Sequence, residues 1–115
     1  MRSFRDMEIR ELLYPNEYEC ACGKTHRSTV KEIVIGKDVF GDLLKTVLGY
    51  GAKSLMVFAD HNTYKAAGET LLGKLQDEGL VLNTYIFPQD QVTADSFSVG
   101  QAALHFIKDS DMLLE

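Results

Sequence analysis

From residue 31 onward, short apolar runs of strand length alternate with segments whose apolar residues recur at helical spacing. The run at residues 54–59 (SLMVFA) is apolar nearly throughout. This is typical of a strand covered on both faces, since a strand with one solvated face would alternate polar and apolar residues. Other strands are predicted at residues 31–35, 83–87 and 111–115.

The segments between these strands carry the spacing of helices. Apolar residues at i, i+3, i+4 and i+7 form one face of a helix. The three stripes are Phe40, Leu43, Leu44 and Val47; Tyr64, Ala67, Leu71, Leu72 and Leu75; and Val99, Ala103, Phe106 and Ile107. Asn62 or Thr63 is predicted to cap the second helix, and Thr93 or Asp95 the third. His105 falls off the third stripe and is expected to be solvated.

The order β-α-β-α-β-α-β predicts an α/β domain with a doubly wound, Rossmann-like parallel sheet over residues 30–115. Residues 1–29 are predicted to form a separate N-terminal segment. Because a parallel sheet rarely ends at the first residues of a strand, we expect the chain to be truncated at the start of its fourth strand. Ligands of such sheets bind beyond the carboxyl ends of the strands.

Composition excludes several classes of partner. The chain has 115 residues and a net charge of −5, with its basic residues scattered. Binding to nucleic acid or to an anionic membrane needs a positive field, so neither partner is expected. No apolar run is long enough to span a membrane, and the N-terminus is charged where a signal peptide would be apolar. We therefore expect a cytoplasmic protein with reduced cysteines.

Asp60 follows the second predicted strand directly, in the stretch VFADHNTYKAAG at residues 57–68. An acid at this place in a dinucleotide-binding half can accept hydrogen bonds from the hydroxyls of a nucleotide ribose. Asp is equally suited to satisfy free N–H groups at the start of a helix, where the helix dipole favours an anion. Spacing alone leaves both roles open for Asp60.

Complete catalytic and phosphate-binding motifs are missing. Gly36 is followed by Lys37-Asp38-Val39-Phe40-Gly41, so no G-x-G-x-x-G opens the first helix. No Ser-His-Asp, Cys-His or paired-carboxylate arrangement can be assembled at the carboxyl edge of the sheet. No catalytic residue is therefore predicted.

The segment CACGKTH at residues 20–26 brings two thiols and an imidazole within seven residues. Cys20, Cys22 and His26 are ligands that suit zinc, and Gly23 allows a tight turn between them. The hypothesis is a structural zinc site. A closed structural site needs a fourth ligand, however, and C-x-C is tighter than the common C-x-x-C. Two buried small residues and a surface histidine are the alternative.

Together, IVIG at residues 33–36, VFADHNTYKAAG, and a last helix with Val99-Gly100 before DMLLE resemble the N-terminal domain of the glycerol-1-phosphate dehydrogenases. These enzymes belong to the dehydroquinate synthase-like and iron-dependent alcohol dehydrogenase superfamily. The resemblance covers about residues 31–115, and its most specific piece is the aspartate-x-asparagine-threonine followed by alanine-glycine. It implies that the family's glycine-rich diphosphate loop would come after the strand that begins at Asp111.

The resemblance implies that Asp60 contacts the ribose of NAD or NADP and that Asn62 and Thr63 shape the turn, leaving the helix cap to one of these two. An acidic residue there repels a 2′-phosphate, which favours NAD. The implied reaction is the NAD(P)H-dependent reduction of dihydroxyacetone phosphate to sn-glycerol 1-phosphate, a step of phospholipid metabolism.

The resemblance also implies a divalent metal, zinc, nickel or iron, bound outside these 115 residues. This stretch of chain is thus not expected to be active alone. Whether the enzyme forms a homo-oligomer stays open. The alternatives are a glycerol dehydrogenase or 3-dehydroquinate synthase relative, and a non-catalytic α/β binding module.

Overall fold

The computed structural model describes residues 3–115, and the chain divides into two compact units, Met1–Lys37 and Asp38–Glu115. None of residues 3–37 is fully buried, so the described part of the first unit has no hydrophobic core. Its elements are two 3₁₀ turns, Phe4–Asp6 and Ile9–Leu12, and an antiparallel hairpin of strands β1 (Glu17–Glu19) and β2 (Thr25–Arg27).

The second unit is a parallel sheet with helices. The middle helical segment is continuous, because α2 runs through a π-helical turn into α3. In chain order the elements are α1 (Phe40–Gly49), β3 (Ser54–Asp60), α2 (His61–Thr63), the π-helical turn Tyr64–Gly68, α3 (Glu69–Asp77), β4 (Val81–Phe87), α4 (Ser96–His105) and β5 (Met112–Leu114).

Strand β3 lies at the centre of the sheet, whose order is β4-β3-β5. It pairs in parallel with β4 from Ser54↔Val81 to Asp60↔Phe87. It pairs in parallel with β5 from Leu55↔Met112 to Val57↔Leu114. This arrangement explains the apolar run at residues 54–59, since a central strand has neighbours on both edges and helices over both faces.

One face of β3 carries the core. Leu55 and Val57 are 1% and 4% exposed and pack against residues of α1 and α3 and of the turns that follow these helices. These partners are Val47, Ala52, Leu72, Leu75 and Leu80. The stripes predicted for the first two helices therefore supply much of the core, with Phe40, Leu43, Leu44, Tyr64 and Leu71 half-buried against it. Ala67 of the second stripe is exposed and lies outside the core.

The segment after α4 covers the opposite face of the sheet. Phe58 stacks on Phe106 with ring centroids 6.3 Å apart. The backbone N–H of Ile107 lies 3.4 Å from Sδ of Met56, which points away from Leu55 and Val57 because successive side chains of a strand alternate. Helix α4 reaches the same face through His105, which stacks on Tyr85, the partner of Phe58 in β4. Helices thus lie on both faces of the sheet, and the predicted doubly wound α/β class is confirmed.

The strand predicted at residues 31–35 is not formed, and this prediction was wrong. Ile33 and Ile35 are 49% and 87% exposed, and no strand pairing includes them. A β-branched run becomes a strand only where a neighbour accepts its backbone hydrogen bonds. No described strand pairs with this run. The strand that was predicted as the fourth is therefore the third of this sheet.

The stripe predicted for α4 was also wrong. Val99 is 65% exposed, whereas Ser98 is 7% exposed. The helix ends at His105, so Phe106 and Ile107 lie beyond it. Its N-cap is Asp95, one of the two residues predicted, whose Oδ1 accepts from the backbone N–H of Ser98 at 2.8 Å.

A polar face of α4 turns toward the sheet because its partner there is the amphipathic ring of Tyr85. Nε2 of Gln101 donates to the Tyr85 hydroxyl at 3.3 Å. His105 is exposed, as expected, and one face of its ring stacks on the Tyr85 ring with centroids 4.0 Å apart. The hydroxyl of a tyrosine needs a hydrogen-bond partner, so the helix face that packs on Tyr85 carries polar residues. A prediction made from the spacing of apolar residues alone does not detect such a face.

No helix within residues 3–115 has both the length and the apolar character that crossing a membrane requires.

Candidate functional site

The carboxyl ends of β3 and β5 meet where the strand order reverses. From β3 the chain moves to β4 on one side, and from β4 it returns to β5 on the other side of β3. Helix α3, which follows β3, and the end of α4, which precedes β5, lie on opposite faces of the sheet. Such a switch leaves a crevice between the two strand ends, which is where open α/β sheets bind ligands.

A cavity of about 270 Å³, here called the switch-point cavity, opens at this crevice. Val57, Phe58 and Ala59 line it from β3, and Leu114 and Glu115 line it from β5. The helical segment contributes the remaining wall, formed by Thr63, Ala67, Gly68, Leu71 and Leu72. The walls are mostly apolar, as in sites that bury the rings of small ligands, and the volume is near the lower end of the usual range of about 300–1,000 Å³.

Asp60 ends β3 and caps the helical segment beside this cavity. Its Oδ1 accepts from the backbone N–H of Thr63 at 2.8 Å and from the Thr63 hydroxyl at 2.9 Å. In return, the backbone N–H of Asp60 donates to Oγ1 of Thr63 at 3.1 Å. This reciprocal pair is a capping box. The cap predicted at Asn62 or Thr63 was therefore wrong, because the helix starts at His61, directly after the strand.

The capping hydrogen bonds also set the charge of Asp60. The backbone N–H of Thr63, followed by its hydroxyl, lowers the pKa of this carboxyl below its ordinary value. Asp60 is thus ionised at neutral pH. Both bonds use Oδ1, and the backbone N–H of Asn62 also lowers the pKa; within residues 3–115, Oδ2 accepts no hydrogen bond of normal length and angle. One carboxylate can therefore cap the helix and still offer an acceptor oxygen to a ligand.

The other two predicted cofactor-binding residues differ in their surroundings. Thr63 belongs to the capping box and lines the cavity. Asn62 is exposed and forms no side-chain hydrogen bond with the part of the chain that the structure describes. Asp60 and Thr63 are thus brought together at the crevice, with Asn62 beside them in the sequence.

The π-helical turn Tyr64–Gly68 is a feature of this site that the sequence reasoning missed. The backbone N–H of Glu69 donates to the carbonyl oxygen of Tyr64, five residues earlier. A Cβ at Gly68 would lie 3.4 Å from the carbonyl oxygen of Thr63, so the turn is tight there. Single π turns are rare and are frequent at functional sites. The only local signal was the small-residue run Ala-Ala-Gly.

The second candidate site is the tip of the β1–β2 hairpin. The backbone N–H of Cys20 donates to the carbonyl oxygen of Lys24 at 3.0 Å, and that of Gly23 donates to the carbonyl oxygen of Cys20 at 2.9 Å. Gly23 has a φ of 83°, in the left-handed region. This is a three-residue hairpin loop in which a tight turn ends in a left-handed glycine, a conformation with a steric cost for other residues.

The hairpin brings the three predicted metal ligands together. The ligand atoms of Cys20, Cys22 and His26 all lie within 4.8 Å of one another. Sγ of Cys22 is 3.0 Å from Nε2 of His26. The backbone N–H of Cys22, followed by its thiol, lowers the pKa of the Cys20 thiol. Cys20 is half-buried and Cys22 is exposed, so the alternative of two buried small residues does not describe them.

Three curated proteins are similar in sequence to this chain. Similar curated proteins, each named glycerol-1-phosphate dehydrogenase [NAD(P)+], come from Bacillus subtilis (31% identical over 100 residues), Halalkalibacterium halodurans (29% over 100) and Geobacillus thermodenitrificans (27% over 89). The matched regions cover 84%, 84% and 75% of this chain.

The same regions cover 25%, 25% and 22% of the relatives, so the chain spans about a quarter of the length of the curated proteins it matches. No protein-family model matches the chain, and no solved structure shows significant similarity to it. Similarity at 27–31% identity over most of these 115 residues supports a glycerol-1-phosphate dehydrogenase-like domain.

Proposed function

We propose that this chain is the nucleotide-binding part of an NAD(P)-dependent glycerol-1-phosphate dehydrogenase and that Asp60 binds the ribose of the cofactor. The observation that carries the proposal is an ionised carboxylate at the end of the central strand, whose two hydrogen bonds from described residues both use Oδ1 and leave Oδ2 available. Its neighbour Ala59 and its hydrogen-bond partner Thr63 both line the switch-point cavity. The names of the relatives support the choice of cofactor.

The residues of this site fit a nucleotide. A ribose presents hydroxyl donors, and Oδ2 of Asp60 is an acceptor that no described residue occupies. The Thr63 hydroxyl and backbone N–H hold the carboxylate in one orientation. Exposed Asn62 adds an amide beside it, and the apolar cavity walls would exclude water from a ring placed between β3 and β5. When bound, NAD(P)H supplies the hydride that reduces the carbonyl of dihydroxyacetone phosphate to sn-glycerol 1-phosphate.

The proposed enzyme also uses a divalent metal, zinc, nickel or iron, which polarises the substrate carbonyl. Residues 38–115 contain no group of three metal-ligating side chains close together. We therefore propose that the ligands of that metal lie outside these residues. The proposal takes the enzyme to act in the cytoplasm on this small phosphorylated substrate.

The substitution Asp60→Asn separates the capping role from the ligand role. Asparagine caps helices about as well as aspartate, so the fold should be kept. The loss of the charge should weaken NADH binding about 10- to 100-fold, because a hydrogen bond to a charged group is lost. The affinities of NADH and NADPH should also become more alike, because the carboxylate no longer repels the 2′-phosphate.

The measurement is calorimetric titration of both cofactors into the protein encoded by the complete reading frame that contains these residues. Asp95→Asn is the matched control, since Asp95 caps α4 through the same kind of bond and does not line the cavity. An unchanged NADH affinity in Asp60→Asn, with thermal stability equal to the control, would contradict the ribose role.

Turnover assays of the same protein separate the alternatives. Oxidation of NADH in the presence of dihydroxyacetone phosphate supports the proposal. Oxidation of glycerol without activity on glycerol 1-phosphate would indicate a glycerol dehydrogenase instead. Absence of any nucleotide binding would leave the non-catalytic binding module as the better interpretation.

A further inference from the structure

We propose that Cys20, Cys22 and His26 bind one zinc ion at the tip of the β1–β2 hairpin, and that this ion stabilises the first unit of the chain. The site would have three protein ligands, with water at the fourth position. The proposal is independent of nucleotide binding, because all three residues lie in Met1–Lys37 and the switch-point cavity is formed by residues of the second unit.

The strand register explains why the ligands converge. Tyr18 lies opposite His26, and Glu19 lies opposite Thr25, so Cys20 comes opposite Lys24. Side chains two residues apart on a strand share a face, which places Cys20 and His26 as diagonal neighbours on one face of the hairpin. Cys22 sits in the loop, and its Sγ reaches Nε2 of His26 at 3.0 Å.

The spacing of the donor atoms suits a tetrahedral ion. With bond lengths of about 2.3 Å to sulfur and about 2.0–2.1 Å to nitrogen, a tetrahedral zinc holds two sulfurs about 3.8 Å apart and a sulfur and a nitrogen about 3.6 Å apart. The three donor atoms here are all within 4.8 Å of one another. Small side-chain rotations would bring them to those distances, and the ion would replace the hydrogen bond between Cys22 and His26.

The donor set selects the metal by its chemistry. Two thiolates and an imidazole are soft and borderline ligands, which bind zinc and reject magnesium and calcium. Two thiolates also neutralise the double charge of the ion. The carboxylate of Glu19 is not a member of the group, so among the described residues the ion has three ligands.

The first unit needs a stabilising element other than a core. None of residues 3–37 is fully buried, and Phe4, Ile9 and Tyr14 are each at least 50% exposed. Units below about 40 residues usually depend on disulfides, metals or association. Because such a unit has no preformed site when unfolded, the free energy of metal binding adds to that of folding.

Metal analysis of the chain, purified under reducing conditions, tests the site directly. We expect one zinc per chain and, after removal of zinc and addition of Co²⁺, the absorption bands of tetrahedral cobalt bound to thiolate. Cys22→Ser and His26→Gln should each lower the zinc content and alter the cobalt spectrum. His105→Gln, the same change at a histidine outside the cluster, should do neither. Reduced wild-type protein that binds no zinc and shows no cobalt-thiolate band would overturn the proposal, as would a cobalt spectrum unchanged by Cys22→Ser.

Hydrogen exchange tests the stabilising role on the wild-type chain alone. The result therefore does not depend on whether a substituted chain folds. Removal of zinc from the wild-type chain should speed the exchange of backbone amides in β1 and β2 at least tenfold. Amides of β3, at the centre of the other unit, should be unaffected. Equal exchange of the hairpin with and without zinc would refute the stabilising role even if the ion binds.

Discussion

Among single residues, Asp111 joins the start of β5 to the start of β3. Its Oδ2 accepts from the backbone N–H groups of Lys53 and Ser54 at 2.8 and 3.1 Å. Its own backbone N–H donates to the carbonyl oxygen of Ser54 at 3.0 Å. The Lys53 N–H, followed by that of Ser54, lowers the pKa of this carboxyl. Asp60 and Asp95 likewise accept from backbone N–H groups, and their pKa values are lowered for the same reason.

The substitution Asp111→Asn should reduce stability in a pH-dependent way. A carboxyl whose pKa is lower in the folded state contributes stability that is present above its ordinary pKa of about 3.9 and is lost as pH falls toward the lowered value. Asp111→Asn should therefore lower the melting temperature at about pH 7, and by less at about pH 3. Thermal unfolding followed by circular dichroism measures both values.

Asp90→Asn is the control for this prediction, because Asp90 is exposed and makes no hydrogen bond within residues 3–115. If both variants melt at the same temperature at neutral pH, the contact between Asp111 and the start of β3 contributes nothing to stability.

Among the elements, α3 and α4 bury their apolar residues to different extents. Leu75 of α3 is fully buried and Leu72 is 8% exposed. On α4, Phe97 and Val99 are each 65% exposed and Leu104 is 85% exposed. Helix α3 is thus held by the hydrophobic effect, whereas α4 is held by its cap at Asp95 and its polar and aromatic contacts to Tyr85.

The same substitution on each helix should show this difference. Leu75→Ala should cost about 2–5 kcal/mol in the free energy of unfolding, because it leaves a cavity in the core. Leu104→Ala should change that free energy by about 0.5 kcal/mol or less, because the side chain loses little contact. Urea denaturation compares the two variants, and equal losses would mean that the exposed face of α4 is covered in solution.

At the scale of the whole molecule, stability is concentrated in one of the two units. Every fully buried residue among residues 3–115 lies between Val47 and Ser98, within the second unit. The two units divide at Lys37, and residues 30–37 contribute no strand. The second unit therefore has its own core, and the first does not.

A chain shortened to residues 38–115 should keep the helical circular dichroism of the whole and unfold cooperatively, because the core and the three-stranded sheet lie within it. Thermal unfolding of the shortened and the whole chain gives the comparison. A non-cooperative transition in the shortened chain would show that residues 1–37 are required for the fold.

Local patterns account for what could be predicted. The continuous apolar run at residues 54–59 indicates a buried strand, and the helical spacing of apolar residues from Phe40 to Val47 indicates a helix with one buried face. Both β3 and α1 were therefore predicted from the sequence. The β-branched run at residues 31–35 has the same local signal without a partner strand. Pairing is a property of two segments, and one segment cannot reveal it.

The candidate sites divide in the same way. The sequence by itself determined which groups are available: a carboxylate at the end of a strand, and two thiols and an imidazole around a glycine. Only the tertiary structure decided that Oδ1 of Asp60 is committed to Thr63 while Oδ2 is not, and that the ligand atoms of Cys20, Cys22 and His26 lie within 4.8 Å of one another at the tip of a hairpin. The chemical groups and their spacing along the chain are fixed by the sequence, whereas the distance between two side chains depends on how the backbone folds between them.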